Sequence, residues 1–160
     1  MVRNCQELGI CMQRIMKRLL ANQKLCKLVY YTDKDPLGQP DIEDPSKEIY
    51  EKYIKITPKL PPEETPHSFV DLIVANGAVN RSNGEFRSFT FRIYVYVPQD
   101  QWFIKDSNLR MFAILGEIQN SLSDKNINGL GTLRAGDIKT NLFTEDMTCY
   151  TIDFTLYNFD

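Results

Sequence analysis

Histidine is almost missing from this chain: His67 is the only one, and Trp102 is the only tryptophan. One histidine without a patterned cysteine or carboxylate partner supplies neither a catalytic triad nor an ordinary zinc site. His67 reads as a loop residue. The four cysteines, Cys5, Cys11, Cys26 and Cys149, contain no CxxC pair. Such thiols are expected to be reduced and mostly buried, in a protein made and kept in a reducing compartment. No apolar run reaches the roughly 18 residues that cross a bilayer. Gln6, Glu7, Gln13 and Arg14 interrupt what would otherwise be the apolar segment of a secretory signal. No membrane partner is therefore expected. A large charge of one sign is lacking too. The formal charge of -2 argues against a nucleic-acid sleeve, while leaving room for a local basic patch.

The motifs of common chemistries are also absent. There is no G-x-x-x-x-G-K-[ST] phosphate loop, G-x-G-x-x-G, H-E-x-x-H or G-x-S-x-G. Asn128-Gly129-Leu130-Gly131 holds only G-x-G, too little for a phosphate cradle. Asp71 and Asp153 fall in strand patterns where a carboxylate pair is conceivable, although solvent-facing aspartates are commoner. No catalytic residue, cofactor or metal is assigned, and an enzyme is not expected.

What is present is organised around Glu85 to Trp102, EFRSFTFRIYVYVPQDQW. Phe89, Phe91, Ile93, Val95 and Val97 alternate with Thr90, Arg92, Tyr94 and Tyr96. A period of two in aromatic and β-branched residues predicts a long half-buried strand. Ser68 to Val79 is the strand before it, and Asn80 to Gly84 (NRSNG) is a hairpin turn. Pro98 ends the returning strand. Trp102 and Phe103 are expected to seal one end of the core.

Elsewhere, three- and four-residue spacing of Leu8, Cys11, Met12, Ile15, Met16 and Leu19 predicts a helix from Glu7 to about Ala21. A second helix follows over Gln23 to Tyr31. Thr32 to Ser46 is a loop by its prolines and acids. Its Asp33, Asp35, Asp41, Glu43 and Asp44 lack the spacing of a calcium loop. Asp44 and Pro45 predict a helix start, with the helix running to about Tyr53. Thr57 to Ser68 is a proline-rich extended connector. Asp106 or Ser107 is expected to cap a helix over Asn108 to Leu122. After the turn-rich Ser123 to Gly131, Thr132 to Phe143 and Met147 to Tyr157 read as a closing hairpin. The expectation is a single domain over residues 1–160 of α+β class: an antiparallel sheet of two long hairpins with helices packed on one face.

Arg92, Tyr94 and Tyr96 are more than a strand needs merely to face water. Arg and Tyr are enriched at protein interfaces. Candidate contact residues are Asp33, Asp35, Arg81, Arg92, Tyr94, Tyr96 and Trp102. The bland alternative packs the two tyrosines under a helix of the same chain. Another class of reading is a nucleic-acid or small-ligand binding domain that uses Arg81, Arg87, Arg92 and the tyrosines as a stacking surface.

The segment WFIKDSNLRMFAILGEIQNSLSDKNINGLG, the hairpin to EDMTCYTIDF and the earlier LANQKLCKLVYYTDKDPLGQPDI resemble structural proteins of tailed bacteriophages. Together with the helix–hairpin–helix–hairpin order, they resemble the tail terminator, or neck and tail-completion, family, from about Leu20 to Phe154. The resemblance implies a virion protein assembled in the bacterial host cytoplasm. It implies a ring, commonly a homohexamer, that stops tail-tube polymerisation. The implied partners are the tail tube protein, with the sheath as a further candidate, and a neck or head–tail connector protein, with DNA only as passing cargo. The family has no catalytic residues to carry over. A ring needs a heterologous contact, in which one patch meets a different patch on the neighbour. The expected contact regions are the Arg92/Tyr94/Tyr96 face and the loops Thr32–Ser46 and Asn80–Glu85.

Overall fold

The computed structural model describes residues 4–56, 67–79 and 81–157. Asn4 opens the first helix, its side chain accepting from the N–H groups of Gln6 and Glu7, and α1 runs Cys5–Leu20. Asn22 caps α2, Gln23–Tyr30, by accepting from Leu25 N–H at 3.1 Å. The Asn22 amide also donates to the Glu117 carboxylate and the Ser121 hydroxyl, both at 2.9 Å, which ties the start of α2 to a later helix. Asp44 caps α3 as expected, with Pro45 in the first turn, but α3 covers only Pro45–Glu48. The expected continuation to Tyr53 fails because Ile49 is drawn fully into the core and Glu51 takes a positive φ of 59°. The chain then turns into the two-residue strand β1, Ile54–Lys55. Of the proline-rich connector expected over Thr57 to Ser68, residues 57–66 lie outside the described residues.

The two long hairpins form as the alternation predicts. β2 is Phe69–Val79 and β3 is Phe86–Pro98, while β6, Leu133–Phe143, and β7, Met147–Tyr157, make the second pair. Between the hairpins, β4 (Phe103–Ile104) and β5 (Asn108–Leu109) form a small separate ribbon before α4, Arg110–Leu122. The main sheet has the order β1-β2-β3-β7-β6, antiparallel except for the short parallel β1–β2 edge. The fold is thus α+β, with β3 at the centre. Val70, Leu72, Phe89, Phe91, Ile93, Val95, Ile152, Phe154 and Leu156 give the sheet one apolar face. It is packed with Ile15, Leu19, Leu25, Leu28, Met111, Ile114 and Ile118 of the helices.

Two expectations at the start of α4 are corrected. Neither Asp106 nor Ser107 caps it: both take positive φ, 64° and 57°, to turn the β4–β5 ribbon. The helix begins at Arg110 without a side-chain cap. Phe103 does not seal the core either. Pairing with Leu109 in the ribbon turns it outward, and it is 70% exposed, whereas Trp102 is half-buried. The glycine-rich link has a conformational reason. Gly131 has φ +126°, and a Cβ there would meet Leu156 Cδ1 at 2.8 Å, so the position needs glycine for backbone shape.

Candidate functional site

Because side chains alternate across a strand, the residues of β3 that do not enter the core all emerge on the opposite face of the sheet. Register decides what they meet. Arg92 lies directly across from Asp153 on β7, and Tyr94 lies between Asp71 on β2 and Thr151 on β7. Tyr96 lies between Phe69 and Cys149. The Arg92 guanidinium makes a two-pronged contact with Asp153, Nε to Oδ1 at 2.7 Å and Nη2 to Oδ2 at 2.8 Å. This fork geometry is the strong form of the pair, and the Asp153 hydrogen bond pushes the Arg92 pKa further up. Thr90 and Thr155 hydroxyls meet at 3.3 Å one step along.

The tyrosine end is an aromatic row. Phe69 stacks on Tyr96 with centroids 4.4 Å apart and planes 13° apart, and Tyr94 follows at 6.4 Å. Lys55 Nζ stands 4.7 Å above the Phe69 ring, a cation–π contact. Burial raises the Tyr96 pKa, with the neighbouring Cys149 adding to it, so the phenol stays protonated. Both tyrosines are half-buried among strand neighbours on the face away from the apolar core. The result is a row of three rings, Phe69 buried and the two tyrosines half-buried, flanked by one neutralised charge pair.

Asp71 is the unusual member. It is 6% exposed, its Oδ1 lacks a hydrogen-bond partner among the described residues, and burial pushes its pKa up to about 6, with Lys55 opposing the shift. The raised value means that the folded state holds the proton more tightly than the unfolded chain. Stability from this group is therefore complete below about pH 3.8 and is lost as pH rises to about 6. Asp71→Asn should flatten that pH slope in urea titrations. Relative to the parent it should gain up to about 3 kcal/mol at pH 7.5 and nothing near pH 4. An unchanged slope would show that Asp71 is not the titrating group.

The structure brings Arg92, Tyr94 and Tyr96 together and leaves the other candidates elsewhere. Asp33 and Asp35 build their own loop. Asp33 accepts from Asp35 N–H at 2.9 Å, and Asp35 caps the turn at Gly38 and pairs with Lys105 at 3.2 Å. Asp35, Leu37, Lys105 and Asp106 line a separate cleft of about 310 Å³. Arg81 is exposed at the hairpin tip. Trp102 lies on the helix side, edge-on to Phe112 at 6.3 Å, and Phe112 in turn meets Tyr150 at 5.5 Å. Asp71 and Asp153 do not form a carboxylate pair, since Asp153 is held by Arg92 and Asp71 sits across β3 from it. Phe69, Lys55 and Cys149 join the face without having been singled out from sequence. An aspartate inside an apolar run, Phe69-Val70-Asp71-Leu72, was the available signal.

Among the described residues no group of three or more His, Cys, Asp or Glu is placed to hold a metal ion. The acids of the Thr32–Ser46 loop have other uses. Asp41 pairs with Lys27 at 2.7 Å, and Asp44 caps α3. No curated protein matches the chain. Residues 22–156, most of the sequence and all of the sheet but its last residue, match the YomW family. The chain belongs to the YomW family, a family of phage-derived proteins.

Proposed function

We propose that this chain is a structural protein of a tailed phage, acting at the head–tail junction as a subunit of a ring that caps the tail tube and joins it to the neck. The observation that carries this reading is the half-exposed Arg92–Tyr94–Tyr96 stripe on the face of the sheet away from the helices. Helices bury one side, while on the other Tyr94 and Tyr96 stay partly exposed beside the Arg92–Asp153 pair, with Tyr96 stacked on the buried Phe69. Rigid aromatics with few rotamers to freeze are what protein contacts favour. The phage-derived family and the resemblance to tail-terminator sequences point the same way. The ring's neighbours are the tube protein and a connector protein. DNA passes through as cargo. A nucleic-acid platform is the weaker reading, because Arg92, its best phosphate ligand, is already committed to a carboxylate.

The test is a phage carrying Tyr94→Ser with Tyr96→Ser, compared with a phage lacking the protein. Micrographs should show overlong or headless tails in both, and the purified variant should keep a cooperative unfolding transition. Tails of normal length joined to heads in the absence of the protein would sink the proposal. Normal tails with the double variant alone would move the contact to another surface.

A further inference from the structure

The sheet ends in an edge that the rest of the fold leaves alone. Among the described residues β6 pairs only with β7, and every residue from Arg134 to Asn141 is exposed. Long edges are usually blunted by charges and bulges, because their free N–H and C=O groups recruit other strands. β6 has both devices, with irregularities between Ala135 and Ile138 and between Thr140 and Leu142. They leave Ile138–Thr140 as a regular middle segment. At its head stands Ile138, 43% exposed, where a protected edge would carry a polar residue. Asp137 and Lys139 flank it, their charges 3.7 Å apart in water, a contact worth little by itself.

We infer that a second copy of this chain covers the edge, β6 against β6, in an antiparallel two-fold pair centred on Ile138. A two-fold axis through paired strands makes the contact self-complementary, so the centre alone fixes every opposing pair. Centred on Ile138, the two isoleucines meet and each Asp137 faces the other copy's Lys139. Centring on Asp137 would set carboxylate against carboxylate, and centring on Lys139 would set ammonium against ammonium. Cross-strand charge pairs are favourable when opposite and unfavourable when like, so the sequence Asp-Ile-Lys selects one register and rejects its two neighbours. The pairing continues the sheet to ten strands, with both helical layers on one side and both tyrosine rows on the other. A two-fold contact cannot close a ring. It describes the free protein before assembly and does not rest on the head–tail reading.

Sedimentation of the purified full chain across micromolar concentrations should show a monomer–dimer equilibrium. Lys139→Asp alone turns both charge pairs repulsive and should weaken the dimer roughly tenfold. Adding Asp137→Lys to the same chain restores opposite pairs and should restore the dimer. Ile138→Cys should form a disulfide-linked dimer under mild oxidation, since only a residue on the axis meets its own copy. Circular dichroism should be unchanged throughout, because all three positions are exposed. A chain that stays monomeric, a charge-reversed double variant that stays weak, or a dimer that does not cross-link at position 138 would each overturn the pairing. None of these outcomes depends on tails, so they leave the proposed role to its own test.

Discussion

Replacing Arg110 with methionine is expected to cost the fold about 4 kcal/mol, a large share of the roughly 5–15 kcal/mol by which domains of this size are stable. Arg110 is fully buried, and its guanidinium donates to four backbone carbonyls: Gln101 at 3.0 Å, Leu28 and Tyr31 at 2.7 Å, and Asp33 at 2.6 Å. The Leu28 and Tyr31 oxygens belong to the end of α2, where helices leave carbonyls unpaired and favour a cation. Burial lowers the Arg110 pKa, with the neighbouring Asp33 holding it up. The side chain thus closes one helix, anchors the Asp33–Gly38 loop and pins the Gln101 turn. Methionine fills comparable space and takes the donor from four acceptors, two in buried and two in part-buried bonds. Lysine is no substitute, because a single ammonium cannot span the fork. Urea titration checks both variants, and a loss under about 1 kcal/mol for Arg110→Met would refute the clamp.

The second large effect is Phe91→Ala, expected to cost about 3–5 kcal/mol by the ordinary price of emptying a filled aromatic site. Phe91 is 1% exposed and sits at the middle of the sheet, across from Val74 on β2 and Phe154 on β7. Strands on both sides restrict collapse into the vacancy. Phe103→Ala is the control. The same deletion at a side chain largely in water should change stability by no more than about 0.5 kcal/mol. Equal losses at the two positions would contradict the placement of the core.

What was legible in the sequence was whatever depends on neighbours along the chain. Strict alternation from Phe89 to Val97 announced β3, three- and four-residue spacing announced α1, and the Asn-Gly turn signalled the hairpin. What was hidden depends on partners far away. Asp106 and Ser107 have the chemistry of caps, yet pairing of β4 with β5 bends them into a left-handed turn. Nothing near Arg110 in sequence indicates that three of its four acceptors lie 77 to 82 residues earlier. The tyrosine face was half visible. Its β3 members could be named, but the Asp153 that neutralises Arg92 and the Phe69 that stacks on Tyr96 follow from register. Alternation says which face a residue takes and not which residue stands opposite.

The strand order has a consequence in time. β7 comes last among the strands in sequence but lies between β3 and β6 in the sheet, with eleven register partners on β3 alone. A ribosome releases β2 and β3 some fifty residues before β7. At roughly 5–20 residues per second the first hairpin then waits several seconds with one side of β3 unpaired. Chaperone capture, misjoining between nascent chains and sensitivity to truncation should all concentrate in that interval. It ends only when the final strand pairs with β3 and brings β6 into the sheet with it.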